Sequence, residues 1–327
     1  MSNPEIDLSR VSMVTITEDN QGQRIDNFLM SVMRKAPKAL VYRIIRKGEV
    51  RVNKKRVKAD TRLQVGDVVR VPPVRVPQEQ AVGHASKDLL KALKSAIVFE
   101  DDALLAVNKP HGLAVHGGSG VNLGLIEALR QLYPAHTFLE LVHRLDRDTS
   151  GVILVAKKRS ALVALQRMLV NKSGIQKRYL AMVHGNWPAS VREVKAPLKK
   201  FERKSGERIM LVDNDGKASH TRTRLLASGA HYSLLEAEPV TGRTHQIRVH
   251  CQFQGYPIAG DEKYCNKADA LVDRERGVRR LFLHAAGLSF RHPLTGEQLR
   301  IQVPPSGDFK QVLMKEGCDY ELPADHF

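Results

Sequence analysis

Between Leu141 and Gly151 the chain reads Leu-Val-His-Arg-Leu-Asp-Arg-Asp-Thr-Ser-Gly, so that two carboxylates stand among two arginines. Arginines beside a carboxylate keep it ionised at neutral pH, the state a nucleophile or a base requires. Asp148, followed by Thr149, Ser150 and Gly151, has the composition of a turn in which side-chain oxygens bond nearby amides. Asp146 follows Leu145, whose apolar side chain predicts partial burial, and it is the candidate catalytic acid. An apolar entry (Leu141, Val142) and a strand-like run (Gly151 to Ala156) flank the segment. A turn anchored in strands is a usual address for catalytic groups. Two other readings compete at this point. A hydrolase would pair Asp146 with His143, but no second carboxylate has a defined role and no metal-ligand spacing supports it. A non-catalytic RNA-binding or assembly factor would gain nothing from an acid there. The glycines of His116 to Gly124 lack the GxGxxG spacing and its strand–helix setting, so no dinucleotide site is expected.

The elements that must position this segment lie in two regions of different composition. From Gly22 to Val76 there are 15 Lys/Arg and 4 Asp/Glu, a net charge of +11 out of +17 for the whole chain. A single small-molecule site needs no such surplus, whereas a polyphosphate partner rewards it by counterion release. Within this region Ile25, Phe28, Leu29, Val32 and Met33 recur at helical intervals. Ala39, Leu40, Ile44 and Ile45 predict a second helix, opened near Pro37 and stopped by Gly48. Two strand-like runs, Glu49 to Asn53 and Val68 to Val71, follow with Gly66-Asp67 turning between them. Arg43, Arg46, Lys47, Arg51, Lys54, Lys55 and Arg56 crowd around the second helix and the turn after it, a cluster expected to bind phosphates.

Two adjacent prolines open the segment Pro72 to Asp88, which is poor in bulky apolar residues and reads as a linker. The resulting division is a tail over 1–21, a small α+β module over 22–76, a linker over 77–90 and a larger domain over 91–327. In that domain strand-like runs dominate, with helical patterns near Leu123 to Leu132 and Ser160 to Val170. The rhythm is that of a mainly antiparallel, mixed-sheet α+β domain, not of repeated βαβ units. No stretch approaches the roughly 18 apolar residues of a membrane span, and the polar, acidic start lacks a signal-peptide layout. Three scattered cysteines without a CxxC pair predict reduced thiols and no metal. A cytoplasmic enzyme is expected, and no long amphipathic helix suggests anything but a monomer.

His143 to Gly151 resembles the signature of the RluA family of pseudouridine synthases, HRLD followed by two variable residues and TSG. Further segments are similar in the same order: Asn108-Lys109-Pro110 with Gly112-Leu113 and Val115-His116, Gln176 to Ala181, Gly242 to His250, Gly260-Asp261 with Tyr264, and Leu283-His284-Ala285. His111 departs from the small residues common in that family's loop. The basic module resembles the S-four-like RNA-binding domain. With the long His116 loop and Gly206 to Ile209, it is similar to the RluC-type subgroup, which acts on large-subunit (23S) ribosomal RNA or its assembly intermediates.

The resemblance implies a cofactor-free isomerisation in which the bond from ribose carbon 1′ to the base breaks and the base rejoins through carbon 5. It implies that Asp146 acts on the sugar, as nucleophile or as base, and that Arg248 is its salt-bridge partner. It implies too that Tyr179 stacks on the base and assists removal of the carbon 5 proton, with Leu283 packing beneath its ring. The target nucleotide must be flipped out of its stack. By the same resemblance Arg144 is expected to fill the vacated space, as a guanidinium plane can, and Arg243 to contact RNA.

Overall fold

A computed structural model describes residues 7–33, 36–74, 83–118, 121, 123–136, 138–203, 205–318 and 320. The chain divides into two compact units between Val82 and Gly83.

The first unit contains β1 (Ser12–Thr15), α1 (Ile25–Val32), α2 (Lys38–Arg46), β2 (Arg51–Val52), β3 (Lys55–Arg56) and β4 (Val68–Val71). Its sheet runs β1-β4-β2-β3. The apolar positions read at helical spacing, Ile25, Phe28, Leu29, Val32 and Met33, are all buried in one core with Ile44, Val69 and Val71. Pro37 is the N-cap of α2, and Gly48 takes a left-handed φ of 71° just past its end. Two features differ from expectation. Residues 12–15, placed in a tail, form a strand that pairs with β4 from Ser12–Val71 to Thr15–Val68. The hairpin turn at Asn53-Lys54, both with positive φ, joins β2 to β3, and β4 pairs with β2 from further along the chain. Residues 75–82, which include the first six of the expected linker, lie outside the described residues.

The second unit opens with α3 (Lys87–Ser95), whose N-cap Ser86 accepts a bond from the Leu89 amide. The last four residues of the expected linker thus belong to a helix. It leads into the antiparallel pair β5 (Ile97–Glu100) and β6 (Leu104–Lys109), followed by α4 (Leu125–Leu132), β7 (Glu140–Leu141), β8 (Ser150–Ala156) and α5 (Arg159–Asn171). The chain continues through β9 (Ile175–His184), β10 (Glu193–Lys195), β11 (Leu198–Glu202), β12 (Arg208–Val212), β13 (His220–Ser228) and β14 (Tyr232–Pro239). It ends with α6 (Gln246–Phe253), α7 (Lys267–Arg276), β15 (Leu283–Arg291), β16 (Gln298–Gln302) and α8 (Gly307–Lys315).

The main sheet has the order β10-β13-β14-β9-β15-β8-β6-β5, with β16 also on β15 and β7 also on β8. Among the described residues only the β8–β15 contact is parallel, which makes the sheet mixed and mainly antiparallel as expected. It joins Ser150 to His284 and Gly151 to Ala285. Gly151 has a φ of 110°, and a Cβ there would collide with the Ala285 backbone. Only glycine permits that approach. Strand β8 is buried along its whole length, with the apolar side chains of β6 beside it. The turn at Asp146 is therefore anchored in the middle of the core. Strands β11 and β12 form a separate hairpin.

Candidate active site

The turn before β8 is tied down from below. Lys109, at the end of β6, is fully buried, and its ammonium donates to the carbonyls of Pro110 (2.8 Å), Leu113 (2.9 Å) and Arg147 (2.9 Å). An ammonium has three donors, and all three are used. The third bond grips the backbone next to Asp146, while the Thr149 amide closes the turn onto the Asp146 carbonyl. Burial pushes the Lys109 ammonium down to about 7, against the pull of Asp148 and Asp146. Sequence reading gave this lysine no role. Its signal was a lysine closing a strand whose first four residues are apolar.

Asp146 lines a cavity of about 620 Å³ together with Arg144, Lys177, Tyr179, Arg243, His245, Arg248 and Leu283. That volume lies within the range of small-ligand sites, roughly 300–1,000 Å³. Leu145 is buried as expected, and the Asp146 side chain keeps 19% of its surface exposed. Tyr179 on β9 faces Ala285 on one side and Ala237 on the other. It packs on the apolar cluster that contains Leu283. Burial, then the charge of Asp146, raises the Tyr179 phenol well above its ordinary value, so it is neutral at pH 7.

Arg248 sits on α6 and is 96% buried. Its nearest contact with Asp146 is a single one, Nη1 to Oδ2 at 3.4 Å. The two-pronged contact goes elsewhere: Nε and Nη2 each bond a different oxygen of Asp261 at 2.7 Å. Asp261 has no exposed side-chain surface and also accepts from the Lys263 amide at 3.1 Å. Burial disfavours the Arg248 charge, but the bonds to Asp261 and the charges of Asp261 and Asp146 outweigh it and hold the guanidinium above its usual value. A fork–fork pair fixes the plane of both partners. Asp261 thus aims the arginine, and the arginine meets Asp146 with the nitrogen left over. The fork of Arg248 is thus committed to Asp261, and Asp146 receives the single contact.

The remaining candidates divide by position. Arg144 and Arg243 are exposed on the cavity lining, and Arg243 Nε donates to the Ala218 carbonyl at 3.2 Å. Asp148 pairs with Arg147 at 3.1 Å at the surface. His143 does not face Asp146 as an acid–base pair would. Its Nε2 accepts from the Leu154 amide at 3.2 Å, and burial, then Lys177, pushes its ring down to about 4. In the first unit Arg43, Arg46, Lys47, Arg51, Lys54, Lys55 and Arg56 are all exposed. The Arg56 side chain lies against Gly48, which brings the β2–β3 hairpin to the C-terminal end of α2.

Residues 103–253 match the RNA pseudouridylate synthase family, and residues 23–69 match the S4 domain. The ribosomal large subunit pseudouridine synthase C of Pasteurella multocida is 53% identical over 304 residues, 93% of each chain. This chain belongs to the RNA pseudouridylate synthase family. The enzyme of the same name from Escherichia coli K12 is 54% identical over 310 residues, covering 93% of this chain and 96% of its own. Among solved structures, human RNA pseudouridylate synthase domain containing 4 superposes with a TM-score of 0.58 at 26% identity, covering 70% of this chain and 96% of its own. As a pseudouridylate synthase, the protein isomerises uridine in RNA, and its acidic turn, tyrosine strand and arginine helix meet at one cavity.

Proposed function

We propose that this protein converts specific uridines of large-subunit (23S) ribosomal RNA, free or in an assembly intermediate, to pseudouridine, with Asp146 acting on the ribose of a flipped-out nucleotide. The observation that carries the reading is Asp146 on the wall of an open cavity, 3.4 Å from a cation that a second carboxylate orients. The shared length with relatives named for the large ribosomal subunit supports the substrate. Arg248 holds Asp146 turned toward the cavity.

Tyr179 stacks on the detached uracil above Leu283. Because its phenol is neutral, it takes the carbon 5 proton only while giving its own to water in the cavity, so it relays a proton and does not act as a phenolate. Arg144 occupies the space the nucleotide leaves, and Arg243 holds the adjacent backbone. Arg43, Arg46, Lys47, Arg51, Lys54, Lys55 and Arg56, all exposed in the S4 domain, bind RNA phosphates. Such contacts position the RNA without reading its sequence. The protein acts in the cytoplasm, as a monomer and without cofactor. Among the described residues no helix is long and apolar enough to cross a membrane, and the longest, α5, has 13 residues.

Mapping pseudouridines in 23S rRNA tests this. Cells lacking the gene should lose a defined set of sites. Wild-type protein should restore them and Asp146→Asn should not. An unchanged map in the deletion strain would refute the substrate, and restoration by the asparagine variant would refute the role of Asp146.

A further inference from the structure

Asp146 has a second neighbour that the reaction as described leaves idle. His245 Nε2 lies 3.8 Å from Asp146 Oδ2, within ion-pair reach and longer than a hydrogen bond. Unliganded sites commonly hold such contacts long and tighten them when substrate arrives. The backbone at His245 is left-handed, with φ 52° and ψ 20°, directly before the first turn of α6. Left-handed residues other than glycine are uncommon, and they cluster at sites where the surroundings enforce them.

The other ring nitrogen explains what enforces it. His245 Nδ1 lies 2.8 Å from the Tyr264 hydroxyl, and the two rings meet edge to face at 83°. The same hydroxyl oxygen accepts the Met210 amide from β12 at 3.0 Å. A backbone amide can only donate, so the Tyr264 hydrogen is left to be given to Nδ1. A neutral imidazole carries one ring proton, and it then resides on Nε2, facing the carboxylate. The opposite tautomer would leave the tyrosine hydrogen to find another acceptor and would turn the Nε2 lone pair toward Asp146. Burial lowers the His245 ring below its ordinary value despite the charge of Asp146, which agrees with a neutral ring.

Tyr264 serves Asp146 a second time. Its ring face lies under the Arg248 guanidinium, 5.1 Å from the carbon to the ring centroid. Four residues, Asp261 to Tyr264, therefore aim both groups that face Asp146: the arginine through Asp261 and the ring face, the histidine through the hydroxyl.

We infer that His245 is a positioning residue for Asp146, locked by Tyr264 in the tautomer that presents its Nε2–H to the carboxylate. The inference rests on Asp146 being the catalytic carboxylate. With RNA bound, Nε2–H closes on Oδ2, leaving the other oxygen free to meet the ribose. No proton is transferred in this role, and the histidine need not touch the substrate.

The test joins a spectrum to a rate. Nitrogen-15 NMR of the full-length protein should show one rigid Nε2–H tautomer for the His245 ring, assigned by its loss in His245→Asn. Asparagine suits that variant because it tolerates left-handed backbone. Tyr264→Phe keeps the ring face under Arg248 and removes only the hydroxyl, and it should turn the His245 signals into a tautomer mixture. Both variants should lower the single-turnover rate about tenfold or more, in the manner of misplaced groups, with RNA affinity unchanged. A wild-type ring protonated on Nδ1 overturns the inference. So does a wild-type rate in both variants while Asp146→Asn is inactive. If Asp146→Asn is itself active, the reading of the site fails first, and the tautomer spectrum still decides whether Tyr264 locks the ring.

Discussion

The cations of the two units are put to opposite uses. In the catalytic unit Arg248 is almost wholly buried, shared between Asp261 and Asp146, and packed on a tyrosine face. In the S4 unit seven Lys and Arg side chains stand in water around one helix end and one hairpin, and among the described residues only one of the seven, Lys47, lies within ion-pair distance of an acid, Glu49 at 3.9 Å. A buried guanidinium costs several kcal/mol to desolvate, which only well-made partners offset. Its worth therefore lies in geometry, and moving it by an ångström forfeits it. Exposed cations are barely desolvated and act through their number, each displacing counterions from a phosphate. The same residue type is thus irreplaceable in one unit and interchangeable in the other.

The sharpest test of that contrast is the carboxylate itself. Asp146→Asn should reduce isomerisation to background while changing RNA affinity by less than about 1 kcal/mol, the pattern of a residue acting in the chemical step. Single-turnover assays beside binding measurements check it. Appreciable turnover would erase the distinction between the two regions.

Next in size is the arginine. Arg248→Lys keeps the charge but loses the fork on Asp261, and the single-turnover rate should fall on the order of 10²-fold with near-normal binding. Asp261→Asn should be costly for stability, about 3 kcal/mol in denaturant unfolding, because it leaves a buried cation short of a partner. Arg243→Lys and Arg51→Lys should change little. If Arg248→Lys weakens binding as its main effect, the arginine belongs with the RNA contacts.

A pH experiment probes the buried lysine beneath the turn. With its ammonium held near 7 when folded and near 10.5 when unfolded, the unfolded chain binds the extra proton between those values. Stability then rises with pH across that window, and the contribution is lost as pH falls through about 7. Wild type should gain on Lys109→Met by up to about 1.4 kcal/mol per pH unit between pH 7 and 10. Paired unfolding curves read this difference directly, and a flat difference would mean that the lysine stays charged.

The smallest effect belongs to the S4 unit. Neutralising Arg51, Lys54 and Lys55 to glutamine should flatten the salt dependence of RNA binding by up to about 0.9 per lost contact, with an unchanged single-turnover rate at saturating RNA. An unaltered slope would remove this face from the interface.

Local features are legible in the sequence. The helices at Ile25–Val32, Lys38–Arg46, Leu125–Leu132 and Arg159–Asn171 announce themselves by apolar spacing within one window. Strand β8 does so by an unbroken apolar run. The strand at Ser12–Thr15 was missed because four residues carry little alternation, and its partner lies more than fifty positions away. Helix α3 was missed because the polar composition before it hid the Ser86 cap. At the site, motif order pointed to Asp146, Tyr179, Arg248 and Leu283, all of which line the cavity. Asp261, Tyr264 and His245 belonged to the same motifs, but their partnerships could not be seen there.

By itself the sequence determined the division into a basic module and a larger mixed domain, the acidic turn, and the family to which both belong. Those properties depend on composition, on periodicity over a few residues, and on motifs in order. The tertiary structure alone decided that the fork of Arg248 closes on Asp261 and reaches Asp146 with one nitrogen across 102 positions of chain. It also decided which nitrogen of His245 faces the carboxylate, through a hydroxyl bonded to the Met210 amide. Contacts of that kind follow from strand order, register and helix placement, which no local window contains.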